Sequence, residues 1–140
     1  MAVTYEWRGD FDNVEVNELH AQAFETEVPD EAERNWTELV RTHSLGWVVA
    51  RHGDDLVGFV NVIWDGHAHA WIEDTMVASR ARGQGIGTRL VAMARDHARD
   101  SGCQWLHVDF GEHLRPFYLT SCGFAPSHGG LIALTQHRAG

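Results

Sequence analysis

The feature that most constrains this chain is a glycine-rich loop that joins a strand-like segment to a helix-like one. Residues 69–77 are rich in apolar and β-branched side chains, and the loop Arg82-Gly83-Gln84-Gly85-Ile86-Gly87 follows closely. From residue 86 to about residue 100, apolar side chains recur at helical spacing. A helix that begins on glycines exposes unpaired backbone N–H groups, and its dipole attracts anions. The loop therefore predicts a binding site for a phosphorylated cofactor.

Two common phosphate-binding loops do not match this segment. The P-loop needs Gly-Lys-Ser/Thr, which is missing here. The dinucleotide-binding fingerprint needs a third glycine, and the chain has Thr88 and Leu90 there instead. The cofactor is therefore expected to be neither a nucleotide on a P-loop nor a dinucleotide on a Rossmann fold.

Length, charge and cysteine content limit the number of domains, the kinds of partner and the cellular location that we expect. The chain has 140 residues, the size of one domain, and we expect a single domain over residues 1–140. Its formal net charge of −9 argues against nucleic acid as a partner, because phosphate binding needs a basic surface. Without a signal-peptide pattern or an apolar run of about 20 residues, neither secretion nor a membrane is expected. The two cysteines, Cys103 and Cys122, are too few for a disulfide scaffold, which favours a cytoplasmic location.

The remaining segments alternate between strand and helix patterns. A strand is expected at residues 3–7, then helices at residues 13–24 and 30–43, the second with Asp30 as its N-cap. Strands are expected at residues 46–51, 56–64 and 69–77, with Asp65-Gly66 as a hairpin turn. After the helix at residues 86–100, we expect a strand at 104–110, a helix at 112–121, and final strands at Phe124 and 131–135. This order predicts an α/β (α+β) fold, a mixed sheet with helices on its faces.

Two segments together resemble one enzyme family. Arg82, Gly85 and Gly87 occupy the defined positions of the pattern Arg/Gln-x-x-Gly-x-Gly/Ala. The segment from Phe117-Tyr118 to Gly123-Phe124 is similar to a Phe-Tyr-x-x-x-Gly-Phe segment. Both belong to the GNAT family of acyl-CoA-dependent N-acetyltransferases, which the chain resembles along almost its whole length.

The resemblance implies a fold and a cofactor. The implied fold is a mixed, mostly antiparallel sheet of six to seven strands, flanked by about four helices, with a splay between strands 4 and 5. The implied cofactor is acetyl-CoA, with no metal. Its pyrophosphate would lie on the backbone of the loop, and its pantetheine arm along the edge of the fourth strand. The residues so assigned are Arg82, Gly83, Gln84, Gly85, Ile86, Gly87 and Thr88 for the pyrophosphate, and Thr75, Met76 and Val77 for the pantetheine arm.

Acetyl transfer to an amine needs one group that takes a proton from the amine and one that protonates the departing thiolate. Tyr118 can give that proton, since a phenol with a pKa of about 10 stays protonated at neutral pH. Alternatively, Tyr118 packs as a core aromatic. The resemblance also implies an oxyanion donor, a backbone N–H that a bulge frees at residues 75–77.

Glu73 and Asp74 are the candidates for taking the proton from the amine. As neighbours in a strand, they are expected to point to opposite faces, so one should face the cleft. Either acid could instead be a solvated surface charge or the partner of an arginine. His107 and Asp109, on the next strand, could serve through a water molecule.

The acceptor is expected to be a small cationic amine of polyamine or aminoglycoside type. In the resembling family the first two helices wall the acceptor site, and here residues 25–38 are acidic, which would attract a cation. A protein or peptide amine is the rival acceptor, and a non-catalytic CoA-binding module is the rival function. The resemblance also implies that two copies can form a homodimer through the final strands.

Two features depart from the simplest expectations. Gly111 stands where the family often has an asparagine that contacts the pantetheine arm, so that contact is not expected here. His67 and His69 share a strand face, but no third ligand follows at a recognisable spacing, so no zinc site is expected.

Overall fold

The centre of the fold is one five-stranded sheet. The computed structural model describes residues 2–25, 27–28 and 34–135. The strands are β1 (Val3–Trp7), β2 (Ser44–His52), β3 (Asp55–Trp64), β4 (His69–Val77) and β5 (Trp105–Val108), and the helices are α1 (Asn13–Phe24), α2 (Trp36–His43) and α3 (Ile86–Asp100), with short helical segments at Ser79–Ala81, Glu112–Leu114 and Pro116–Ser121. The strands lie side by side in chain order. All neighbours are antiparallel except β4 and β5, which are parallel.

The helices cover the two faces of the sheet. Phe59 of β3 points to the side of α1 and α2, where its ring meets the ring of Trp36. The next position back, Gly58, faces α3, and a side chain there would collide with Ile86 and Leu90. Successive residues of β3 thus face different helices, as the strand period requires. The largely apolar sequence of β3, interrupted by Asn61, agrees with this two-sided burial.

Polar N-cap residues mark the starts of α1 and α2. Asp12 and Glu15 make a reciprocal capping box at the start of α1. The side chain of Asn35 accepts a hydrogen bond from the Glu38 N–H at 3.1 Å, and α2 begins at Trp36. The predicted cap Asp30 lies outside the described residues. No helix in the described ranges is both long enough and apolar enough to cross a membrane.

The splay between the fourth and fifth strands is present. β5 pairs only with the first part of β4, from His69 opposite Trp105 to Ile72 opposite Val108. β4 continues to Val77, so its last residues have no partner on β5. The carboxyl end of β4 is therefore open on that side, next to the start of α3.

The predicted number of strands is wrong for the part of the chain that the structure describes. We expected six to seven strands, and residues 122–135 contain none, neither at Phe124 nor at 131–135. Leu131 and Leu134 are 85% and 92% exposed. Pro126 lacks an N–H and the pair Gly129-Gly130 weakens a strand, so the apolar residues that follow do not pair with the short β5.

The predicted helix at residues 112–121 is split in two. Glu112–Leu114 and Pro116–Ser121 are separate short segments. Pro116 has no N–H to donate, so a continuous helix cannot pass through it without losing a hydrogen bond.

Asn17 joins the two helices on one face of the sheet. It is 1% exposed, accepts a hydrogen bond from the Trp36 indole N–H at 2.7 Å, and donates to the Arg34 carbonyl at 3.2 Å. Asn17→Ala leaves the buried indole N–H of Trp36 and the Arg34 carbonyl without this partner, so we expect the free energy of unfolding to fall by about 1–3 kcal/mol. Urea denaturation measures it. Glu18→Ala, on the exposed side of the same helix, serves as the control, and an equal small loss in both variants would contradict the account.

Candidate active site

The glycine loop leads directly into α3 and leaves its first N–H groups free for a ligand. Gly83 and Gly85 have positive φ angles of 80° and 78°, a left-handed conformation that other residues adopt at a cost. The first backbone hydrogen bond of α3 runs from the Arg89 N–H to the Gly85 carbonyl, at 3.1 Å. The N–H groups of residues 86–88 precede it and, as the first of a helix, have no partner within it. This geometry is that of an anion site.

Gly87 is needed for a different reason. A side chain at this position would approach the ring of Phe117 to 3.1 Å. Its absence allows the first turn of α3 to pack close to the Pro116–Ser121 helix. The two sequence motifs are therefore in direct contact.

A cavity of about 830 Å³ lies between the loop, the end of β4, the end of α1 and the Pro116–Ser121 helix. Most of the residues that we predicted to bind the cofactor line it: Thr75, Val77, Arg82, Gly83, Gly85, Ile86, Gly87 and Thr88. Gln84 is exposed and does not line the cavity. Met76 is 1% exposed, with its side chain in the core, so it can offer a ligand only its backbone.

Arg82 and Arg89 differ in their surroundings. The guanidinium of Arg82 lies near the end of α1, at 3.4 Å from the carbonyl oxygen of Gln22. The guanidinium of Arg89 lies over the ring of Tyr5, at 5.4 Å. Arg82 lines the cavity and Arg89 does not, so Arg82 is the better placed of the two to meet a phosphate.

β4 contains a bulge at its open end. Glu73 lies opposite Asn61 and Met76 lies opposite Phe59, so two residues of β4 oppose one of β3. Asp74 within this bulge has a φ of 57°. A bulge leaves its extra residue unpaired and bends the strand. The bulge lies at the place where the resemblance implied a freed backbone N–H.

The bulge overturns one expectation about the two acids. We expected Glu73 and Asp74 on opposite faces, as in a regular strand. Glu73 is paired with Asn61, and the Asn61 side chain is hydrogen-bonded to Asp74. Both carboxylates therefore lie on the same face of the sheet, the face of α1. The left-handed φ of Asp74 interrupts the alternation of side chains along the strand. A prediction from odd and even positions assumes a regular strand and therefore misses the bulge.

The two carboxylates have different environments. Burial raises the pKa of Asp74, and His20, Arg34 and the hydrogen bond from Asn61 oppose that rise. The side chain of Glu73 reaches solvent. Its pKa is nevertheless raised, mainly because part of the carboxylate is shielded from water, and the charges of Asp74 and Asp109 add to the rise. Glu73 therefore borders solvent and a second carboxylate, whereas Asp74 is half-buried.

His20, a residue of α1, lies close to Asp74 of β4. Burial lowers its pKa, Arg34 lowers it further, and Asp74 opposes both. Its Nε2 lies 3.4 Å from the guanidinium of Arg34. Sequence reasoning missed His20, Arg34 and Asn61 as neighbours of the acids. Only Asn61, a polar residue inside the apolar run of β3, gave a signal that could have been noticed.

Tyr118 lies at the border between the cavity and the core. Its side chain is 6% exposed, and its ring stacks on Phe110 at 5.2 Å. Its hydroxyl donates a hydrogen bond to Thr75 Oγ1 at 3.2 Å, at the end of β4. Burial raises the pKa of the phenol, so Tyr118 stays protonated at neutral pH. The ring is thus a packed aromatic, and the hydroxyl still reaches the cavity edge.

The helix that carries Tyr118 is of the π type, and the sequence explains why. Four residues separate Tyr118 from Gly123, one more than in the family pattern Phe-Tyr-x-x-x-Gly-Phe. The Cys122 N–H donates to the Phe117 carbonyl at 2.9 Å, five residues back. A single extra residue in a helix is accommodated as such a wide turn, often at a functional site.

Gly111, where the family often has asparagine, is exposed, and the ring of His113 lies against it. A side chain at Gly111 would approach that ring to 3.0 Å. His113 itself lines the cavity. Among the described residues, no group of three or more histidine, cysteine, aspartate or glutamate side chains is placed to bind a metal.

The sequence profile of the acetyltransferase (GNAT) family matches residues 13–124. The chain belongs to this family. Within the GNAT fold, the glycine loop precedes α3, and the tyrosine segment follows β5.

Known GNAT proteins resemble the chain in sequence and in structure. It is similar to glucosamine 6-phosphate N-acetyltransferase 1 of Oryza sativa subsp. japonica, 40% identical over 53 residues. That match covers 38% of this chain and only 32% of the rice protein. It is also similar to the crystal structure of an acetyltransferase of Trypanosoma brucei, with 25% identity and a TM-score of 0.78, over 96% of this chain and 100% of that one. An aminoglycoside acetyltransferase from an uncultured soil metagenomic sample, solved with trehalose, gives 17% identity and a TM-score of 0.77, over 96% and 97% of the two chains.

The raised pKa of Asp74 predicts how the stability of the fold depends on pH. The folded chain binds the Asp74 proton more tightly than the unfolded chain does, so this stabilisation is present at acid pH and is lost as pH rises through the folded pKa. Near neutral pH the buried charge therefore costs stability. Asp74→Asn keeps the shape and tolerates the left-handed φ. We expect it to raise the free energy of unfolding more near neutral pH than at acid pH, measured by urea denaturation.

Asp55→Asn, at the exposed start of β3, is the matched control and should change little at either pH. If Asp74→Asn were equally stabilising or destabilising at both pH values, the pKa of Asp74 would not be raised in the folded chain.

Proposed function

We propose that the chain transfers an acetyl group from acetyl-CoA to a primary amine of a small cationic acceptor, by direct attack of the amine. The observation that supports this most is the arrangement around the end of β4. The Tyr118 hydroxyl lies at Thr75 beside the cavity, and the carboxylates of Glu73 and Asp74 lie on the sheet face that α1 covers. A proton donor and two proton acceptors thus flank one short stretch of strand.

The residues around the cavity fit acetyl-CoA, which GNAT acetyltransferases use. The free N–H groups of residues 86–88 and the positive end of α3 suit a pyrophosphate. The open edge of β4 near Thr75 and Val77 suits an extended arm that carries amide groups. When bound, acetyl-CoA supplies the activated acetyl group. The protein supplies its orientation and the proton transfers.

Each residue would have a distinct part in the transfer. Glu73 or Asp74 would take the proton that the amine must lose, and a raised pKa makes either a better base than an ordinary surface acid. A backbone N–H that the bulge leaves unpaired would donate to the developing oxyanion. The Tyr118 hydroxyl would give its proton to the departing sulfur.

A cationic acceptor is supported by the charges on the face where the amine must approach. Glu73, Asp74 and Asp109 are neighbours there, and a negative region raises the local concentration of a cation. The rice relative is named for an amino sugar phosphate. A protein or peptide amine is the rival acceptor, and a panel of small amines and lysine peptides would discriminate between them.

A non-catalytic CoA-binding module is the rival function. It would bind acetyl-CoA and acetylate nothing. The hydrogen bond of Tyr118 to Thr75 and the paired acids speak against it, because cofactor binding alone needs neither.

Tyr118→Phe tests the proton donor. We expect kcat to fall at least tenfold, because a general acid contributes on the order of 10²–10⁴ in rate. The Kd for acetyl-CoA should change little, since the ring and its packing remain. Steady-state acetylation of an amine panel measures the first quantity, and isothermal titration measures the second.

Tyr5→Phe is the matched control, because the chain has two tyrosines and Tyr5 lies under Arg89, away from the cavity. Unchanged turnover in Tyr118→Phe would remove the acid role. Acetyl-CoA binding without turnover of any amine by the unaltered protein would favour the non-catalytic module.

A further inference from the structure

His20 of α1 has a buried ring nitrogen without a partner. Its Nδ1 is buried and makes no hydrogen bond within the described part of the chain. Its Nε2 lies 3.4 Å from the guanidinium of Arg34, and an arginine side chain can only donate. Nε2 must therefore accept, so in the neutral ring the hydrogen is on Nδ1. Because a buried N–H without a partner is rare and costly in a folded protein, this one calls for a use that packing does not explain.

The group that this N–H can serve is the carboxylate of Asp74. α1 packs on β4, and His20 and Asp74 lie close enough for each to act on the pKa of the other. Burial and the charge of Arg34 lower the pKa of His20, so the ring is neutral at neutral pH. What His20 offers to the carboxylate there is the Nδ1–H rather than a full positive charge.

Asp74 is held by polar groups from several other elements. Asn61 of β3 is 2% exposed, accepts a hydrogen bond from the Ser44 hydroxyl with its amide oxygen, and is hydrogen-bonded to Asp74. Arg34, which precedes α2, adds positive charge. Asp74 itself has a left-handed φ of 57°, a conformation that costs free energy and is often found at functional sites. Groups on β3, on α1 and before α2 thus converge on one half-buried carboxylate.

Glu73 has a different setting. Its side chain reaches solvent, and the charges that act on it are those of two other acids, Asp74 and Asp109. No hydrogen bond to its carboxylate contributes to its pKa among the described residues. A general base must keep a fixed position against the proton that it takes. The structure provides such a fixed position for Asp74.

We propose that Asp74, rather than Glu73, takes the proton of the amine, and that His20 is its positioning residue, which turns its unpaired Nδ1–H to the carboxylate. The inference rests on the proposed acetyl transfer and specifies its base. The ammonium group gives one proton to an Asp74 oxygen, and Asp74 releases it to solvent through its exposed side. The other proton that the nitrogen loses replaces the one that Tyr118 gives to the sulfur, so one proton is released per turnover.

The pH dependence of kcat/KM for one acetylated amine tests this inference. Its acid limb reports the ionisation of the base in the free enzyme, and the titration of the amine itself is common to all variants. His20→Phe keeps a flat ring but removes the N–H, which disfavours the ionised carboxylate. We therefore expect the acid limb to move to higher pH by roughly one unit, since a hydrogen bond to a charged group is worth about that much. His20→Asn, which keeps an N–H donor, should move it much less.

Three further variants serve as controls. His43→Phe is the matched control, because His43 is an exposed histidine at the end of α2 and should leave the profile unchanged. Added to Asp74→Asn, His20→Phe should lower kcat no further, since no carboxylate is left to position. Added to Glu73→Gln, it should still move the acid limb. Thermal unfolding checks that each variant folds.

NMR of the side-chain carboxyl carbons measures the same ionisation without any turnover. We expect the pKa of Asp74 to be higher in His20→Phe than in the unaltered protein and unchanged in His43→Phe.

The outcomes separate this inference from the function on which it rests. Turnover with an acid limb that His20→Phe does not move would overturn the inference and leave acetyl transfer standing. So would an acid limb that disappears in Glu73→Gln. A protein that acetylates no amine would overturn the proposed function and the role of Asp74 as a base. A higher pKa of Asp74 in His20→Phe would then still support the contact with His20, and an unchanged pKa would overturn that as well.

Discussion

The arrangement of this molecule depends on the point in β4 where its ladder with β3 is interrupted. Ile72 is the last residue of β4 that pairs with β5, and the bulge at Asp74 follows at once. Before this point β4 is held by strands on both sides, and after it one edge of the strand is open. The left-handed φ of Asp74, 57°, turns two successive carboxylates to one face. Thr75 and Val77, just beyond, face the cavity of the glycine loop. One local distortion of the backbone thus places two carboxylates next to the open strand edge that borders the cavity.

The glycine loop and the tyrosine segment depend on the same opening. α3 can begin directly beneath the end of β4 because Gly83 and Gly85 adopt positive φ angles. Gly87 lets the Pro116–Ser121 helix approach, and the wide turn of that helix presents Tyr118 to Thr75. Three segments that are far apart in sequence therefore meet around one open strand edge. This explains why a five-stranded sheet with one short parallel pair suffices to build the site.

The sequence predicts the regular elements well, because each depends on local patterns. The bounds of α1, β4 and α3 agree with the apolar spacing and the loop glycines, and the Asp65-Gly66 turn joins β3 to β4 as expected.

The final strands were predicted from apolar composition alone, and composition does not supply a pairing partner. We predicted that Glu73 and Asp74 point to opposite faces of the sheet, because side chains alternate along a regular strand. This alternation fails at a bulge. The neighbours of Asp74, such as His20, come from another element, and a single sequence contains no signal for that contact. The wide turn at Tyr118 is different, because the extra residue before Gly123 is visible in the sequence.

The proposed function depends most on the glycine loop as a binding site for acetyl-CoA, and isothermal titration of acetyl-CoA into the protein tests this directly. Gly85→Glu places a charged side chain at the first turn of α3, where the φ of 78° also disfavours it. Gly129→Glu introduces the same charge at an exposed glycine with open space around it, and circular dichroism checks that both variants fold. We expect a Kd in the micromolar range for the unaltered protein and for Gly129→Glu, and no binding by folded Gly85→Glu. Absence of binding by the unaltered protein, or equal binding by Gly85→Glu, would contradict it and leave the loop as a structural turn.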